Sequence, residues 1–156
     1  MAGKAVRVFL DSNVILSGLI SDKGAPRIIL DLLTLGLPFL QGLTGQYNMA
    51  EIERNLKKKL PAGLSLYQKY LPQLHLDIIP LPTVKEISQY SGITAAKDVP
   101  VLVSAMKGKA DFLVTGDKKD FLSIAKRIKP ISLMILSPGD FLNLVPGFVE
   151  AGLKDG

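Results

Sequence analysis

Three aspartates stand where side chains can do chemistry. Asp11 directly follows the apolar run 6–10, Asp117 follows Phe112-Leu113-Val114-Thr115 after one glycine, and Asp98 opens the run Val99-Pro100-Val101-Leu102. Carboxylates crowded together are costly unless a cation neutralises them or their pKa values rise. Hard divalent ions such as Mg²⁺ are the usual answer, because they take oxygen ligands and bridge to phosphate. Each acid also has a plainer reading: Asp98 and Asp117 as helix N-caps, Asp11 as an Asx turn at a strand end. Their shared placement in strand-end loops favours function.

Composition narrows the alternatives. The 156 residues hold no Cys and one His, which excludes disulfides, thiolate zinc sites, a Cys nucleophile and multi-imidazole metal sites. Chemistry falls to carboxylates, hydroxyls, amines or a bound oxygen-seeking metal. The net charge of +5 makes a polyanionic partner such as nucleic acid a live possibility. The N-terminal cations precede an apolar run broken by Asp11 and Asn13, so no signal peptide is read. The uncharged stretch 32–50 contains Gly36, Pro38, Gln41, Gly42, Gly45, Gln46 and Asn48, which suits a helix end, a strand and a turn rather than a membrane span.

The elements that must position the acids alternate. Apolar strands are predicted at 6–10, 38–43, 112–115 and 131–136, with an extended piece at 77–81. Helices are predicted at 25–35, 45–59, 65–74, 83–90, from Asp98 to Gly108, at 117–128 and at 139–144. Asp11-Ser12-Asn13 is read as a polar turn. No linker or repeat divides the chain, so one domain spans 1–156, with a core at about 6–142 and a tail at 145–156. The predicted fold is a three-layer α/β/α sandwich with a central parallel sheet of four to five strands. In such a sheet ligands bind outside the carboxyl ends of the strands. Asp111 begins the strand that Asp117 follows, roughly 20 Å away at ~3.3 Å per residue, and is excluded from their site.

Val8-Phe9-Leu10-Asp11-Ser12-Asn13-Val14 resembles the opening D-[ST]-N-[VI] of PIN-domain nucleases. Asp98-Val99-Pro100-Val101-Leu102-Val103-Ser104-Ala105 resembles that family's D-x-x-x-L-x-x-A, and Ala110-Asp111-Phe112-Leu113-Val114-Thr115-Gly116-Asp117 its A-D-x-L-V-T-x-D. Glu51-Ile52-Glu53-Arg54-Asn55-Leu56 is similar to its E-[IL]-x-x-x-L helix. Together these motifs cover about 6–142 in the expected order. The motif spellings look most like toxin components of toxin–antitoxin pairs, related to VapC-like ribonucleases.

The resemblance implies an acidic, catalytic and metal-holding set of Asp11, Glu51, Asp98 and Asp117, supported by Asn13 and Thr115. Asp120, one turn past Asp117, is a further supporting candidate. Apolar periodicity along 49–60 favours Glu53 over Glu51; motif register favours Glu51 and is followed. Two positions depart from the pattern, Gly45 where relatives often carry Ser, and Lys97 where a further acid is common.

The implied activity is hydrolysis of RNA phosphodiester bonds with Mg²⁺ or Mn²⁺. Lys57, Lys58 and Lys59, with Lys118 and Lys119, are candidate RNA contacts, against a plainer role as solvated helix surface. Tyr47, Tyr67 and Tyr70 are candidate base-stacking groups or core residues. Further expectations are a separate antitoxin chain, a homodimer, a cytoplasmic setting and no membrane partner. One alternative is a catalytically weak RNA-binding or partner-binding module with a PIN-like fold. A phospho-acceptor receiver is disfavoured, because no acidic pair precedes Asp11.

Overall fold

The computed structural model describes residues 4–89, 97–125 and 133–155, with side chains omitted at 122–125 and 155. Five strands form one parallel sheet: β1 (Val6–Leu10), β2 (Leu40–Gly45), β3 (Asp77–Ile79), β4 (Phe112–Val114) and β5 (Met134–Leu136), in the order β3-β2-β1-β4-β5. The helices are α1 (Ser12–Ile20), α2 (Ala25–Thr34), α3 (Gln46–Lys59), α4 (Ala62–Tyr70), α5 (Val84–Ser88), α6 (Val99–Lys107), α7 (Lys118–Ala125) and α8 (Pro138–Asp155). A 3-10 turn, Leu71–Leu74, follows α4.

β1 shows why the sheet needs cover on both faces. Val8 and Leu10 join a core with α1, α2, α3 and α8, while Phe9 joins Leu43, Leu102, Leu113 and Phe121 on the other side. Alternate side chains of a strand point to opposite faces, and all three are fully buried. The sheet therefore has helices on both sides, as the uniformly apolar strands predicted.

Parallel register aligns the strand ends that matter. Leu10 pairs with Val114 across β1 and β4, so Asp11 and Thr115 emerge side by side. The chain moves outward on one side of β1 through β2 and β3, then crosses to β4 on the other. The β1–β4 boundary is thus a topological switch point, where a crevice opens at the carboxyl ends.

Several boundaries differ from expectation. The polar turn after β1 is a helix start: α1 begins at Ser12, with Asp11 as its N-cap. α1 packs on α2 with Gly18 at the crossing, where a Cβ would lie 2.5 Å from Leu30 Cδ1. The strand predicted at 38–43 is shifted to Leu40–Gly45. The final helix does not stop at 144 but continues to Asp155, through Pro146. Buried Val145 and the half-buried Phe148 and Val149 pack that second half onto the core, which offsets the backbone hydrogen bond proline removes. The predicted ends at 90, 126–128 and 131–132 lie outside the described residues.

Candidate functional site

Asp11 is the most constrained acid. Its side chain is buried at 6% exposure. Oδ1 accepts from the Ser12 backbone N–H at 2.8 Å and from Asn48 Nδ2 at 3.3 Å, and Oδ2 accepts from Thr115 Oγ1 at 2.8 Å. Burial pushes the carboxyl up to about 6; the Thr115 and Ser12 hydrogen bonds oppose this, and the negative charges of Glu51 and Asp117 add to it.

Asn13 ties the loop after β4 to the start of α1. Its Nδ2 donates to Asp117 Oδ2 at 3.1 Å, and its Oδ1 accepts from the Gly116 N–H at 3.1 Å. Thr115, fully buried, also accepts from the Asp117 N–H at 3.0 Å. Both supporting positions therefore hold the two aspartates directly.

Asp98 is 9% exposed and occupies the N-cap position of α6, yet its side chain makes no capping hydrogen bond. The carboxylate is left facing the cavity rather than closing the helix end. Burial raises its pKa, the neighbouring Lys97 charge opposes the rise, and Asp120, Asp117 and Glu51 add to it.

All four acids line one cavity of about 210 Å³, with Ser12, Asn13, Leu16, Asn55, Lys97 and Val101 completing its wall. Glu51 is the glutamate in that wall. Glu53 instead lies near Tyr67, whose phenol is pushed up to about 12 by burial first and the Glu53 charge second. Asp120 is exposed and outside the lining, acting on Asp98 only through its charge. Asp111 sits at the opposite end of β4, where it accepts from the Arg7 N–H at 2.9 Å.

The candidate RNA-contacting lysines occupy different places. Lys118 pairs with Asp140 at 3.0 Å, and Lys119 is exposed beside it. Lys57, Lys58 and Lys59 form the last turn of α3, where they also complement the helix dipole. Lys57 lies six residues beyond Glu51, ~9 Å along the helix axis at 1.5 Å per residue. Tyr67 is a core residue at 2% exposure, whereas Tyr47 and Tyr70 are half-buried.

Asn48 was not singled out by the motifs. It is fully buried and donates to Ser12 Oγ at 2.9 Å as well as to Asp11, while its Oδ1 has no partner among the described residues. Its signal in the sequence is a polar residue on the buried stripe Asn48, Ile52, Leu56 of α3. It also accounts for Gly45: a Cβ there would stand 3.0 Å from Asn48 Oδ1 and 3.1 Å from Ser104 Oγ, so these two side chains fill the space a serine would need.

The donor set suits a hard divalent ion, since the acids offer only oxygen, and the raised pKa values of Asp11 and Asp98 come first from burial, with neighbouring carboxylates adding to it. Among the described residues no three His, Cys, Asp or Glu side chains are already drawn together as an ion cage.

A parallel α/β/α fold with acids gathered at the switch point defines a class that binds ligands at the strand carboxyl ends. The PIN domain family profile matches residues 7–119, and the chain belongs to that family, a family of nucleases. No curated protein matches the chain. Among solved structures, it is similar in fold to a chain of VapBC from Salmonella typhimurium, in a DNA-bound complex, with a TM-score of 0.64 and 14% identity over 85% of this chain and 98% of that one. FitAcB from Neisseria gonorrhoeae gives 0.60 and 17% over 84% and 97%. VapBC2 from Rickettsia felis, bound to a fragment of promoter DNA, gives 0.59 and 19% over 85% and 98%.

Proposed function

We propose that this protein is a divalent-metal-dependent endoribonuclease and the toxin of a toxin–antitoxin pair. The observation that carries the reading is the shared cavity of Asp11, Glu51, Asp98 and Asp117, brought together from four separate stretches of chain. Asp11, Asp98 and Asp117 would hold Mg²⁺ or Mn²⁺, with Glu51 ligating or orienting a water. When bound, such an ion polarises the phosphate and lowers the pKa of an attacking water.

The chain's own residues prepare the site. Thr115, Asn48 and the Ser12 N–H fix both oxygens of Asp11, and Asn13 fixes Asp117. No side-chain nucleophile is needed. Lys119, together with Lys57 and Lys58, would draw in the RNA backbone over a distance; Lys118 would do so in exchange for its pairing with Asp140.

The VapBC and FitAB complexes that share this fold support a separate antitoxin chain as partner. Among the described residues no helix is long and apolar enough to cross a membrane, and a cytoplasmic setting fits a nuclease acting on cellular RNA.

The test is incubation of the purified protein with single-stranded and structured RNA in Mn²⁺, Mg²⁺ or EDTA. Cleavage with either ion, absent in EDTA and in Asp11→Asn, is expected. RNA left intact by the wild type with both ions would sink the reading in favour of a binding module.

A further inference from the structure

Among the described residues, the cavity wall contains four carboxylates and a single cation, Lys97. A phosphodiester entering it meets repulsion from each ionised carboxylate. Attraction from distant lysines is poorly placed to offset this. Lys57 stands in the last turn of α3 and Lys119 is exposed, both outside the wall, and Lys118 is held by Asp140 at 3.0 Å. Lys97 differs on both counts. It lies in the wall itself, and among the described residues it forms no ion pair.

Its side chain is exposed, and it stands directly before the first turn of α6. Lys97 immediately precedes Asp98, whose carbonyl accepts the Leu102 N–H at 3.1 Å as α6 begins. Lys97 and Asp98 share this wall with Asp11, Glu51 and Asp117. A flexible four-carbon stem beside the helix start lets it reach a phosphate.

We propose that Lys97 is the phosphate contact of this cavity, seating an RNA phosphodiester against the carboxylates. The role rests on the nuclease reading for its biological meaning, but it is measurable without cleavage. It also gives the departure at this position a consequence: a cation in place of a further acid exchanges some metal affinity for substrate affinity.

The experiment measures binding of a fluorescein-labelled mixed-sequence RNA 12-mer in EDTA across a range of salt. Lys97→Met is expected to lower affinity about fivefold at 0.1 M salt and to reduce the slope of log K against log salt by about 0.7, the value for one phosphate contact on a single strand. Lys97→Arg should keep both, and Lys154→Ala, on the last turn of α8, should change neither. Lys97→Glu should weaken RNA binding further while tightening Mn²⁺ binding in calorimetry, opposite shifts that a purely structural role does not produce. Thermal melts of each variant verify folding.

Affinity and slope unchanged in Lys97→Met, or a wild type that does not bind the 12-mer, would overturn the assignment. A wild type with Lys97-dependent binding that leaves RNA intact in Mn²⁺ would sink the nuclease reading while upholding the contact.

Discussion

Thr115 Oγ1 donates to Asp11 Oδ2 across 2.8 Å, joining two fully or nearly buried side chains 104 residues apart in the sequence. The β1–β4 register makes this possible, because Leu10 and Val114 are partners and the next residue on each strand continues beyond the sheet. Thr115→Val keeps the shape but removes the donor. It is expected to cost about 1–3 kcal/mol, the range for unsatisfying a buried polar group, and to raise the Asp11 pKa beyond its present value. Urea denaturation and an NMR titration of the Asp11 carboxyl measure the two effects. Thr115→Ser should recover most of both, and a valine variant matching wild type would show the bond to be idle.

The contribution of Asp11 to the stability of the metal-free protein should fall as pH rises. Asp11 has a folded pKa of about 6 against 3.8 for the free group, so between these values the folded state binds the extra proton. Folding is then favoured at pH 4 and below relative to pH 7, by about 3 kcal/mol for this one group, with the loss occurring from about pH 4 to pH 6. Other carboxylates titrate in the acid range, so the isolating measurement is the difference between wild type and Asp11→Asn. The asparagine variant should gain relative stability as pH rises through that window. A difference independent of pH would contradict the raised pKa. Mn²⁺ affinity of the wild type should increase over the same window, since the carboxylate must lose its proton to bind.

Glu51 and Glu53 sit two positions apart on α3 and face different surroundings, the acid cavity and Tyr67. Glu51→Gln should weaken Mn²⁺ binding and RNA cleavage by at least about tenfold, the lower end for residues around a metal site. Glu53→Gln should leave both intact and instead lower the Tyr67 pKa, read by ultraviolet titration. Reversed effects on metal and cleavage would move the fourth acid to Glu53.

Removal of Asn48 should affect catalysis through Asp11. Asn48→Ala is expected to cost about 1–3 kcal/mol and to reduce cleavage by about 10–100-fold, as for groups that orient metal ligands. Single-turnover rates at saturating RNA separate this from lost RNA affinity, and an unchanged rate would make Asn48 a packing residue only.

Much of this was legible before any coordinates. The run Val6–Leu10 is apolar at nearly every position, as a strand buried on both faces must be, and its end places Asp11. α1 was hidden because Val14, Ile15, Leu16, Leu19 and Ile20 leave almost no polar face, so helical periodicity has nothing to contrast with. β3 is three residues long, and its neighbours Pro80 and Pro82 mask where pairing stops. Periodicity alone favoured Glu53, because it senses distance from the apolar stripe and not the cavity formed by α6 and the β4 loop. Asp98 looked like a helix cap by residue type, and only its surroundings show a carboxylate that caps nothing.

The central pairing of β1 with β4 has a consequence for how the protein is made. β2 and β3 are complete before residue 80, so one half of the sheet can assemble early in synthesis. The other wall of the cavity is absent until β4 and the loop bearing Asp117 leave the ribosome. A nascent chain therefore carries Asp11 and Glu51 without their partners, and the cavity is finished only once most of the chain has been translated.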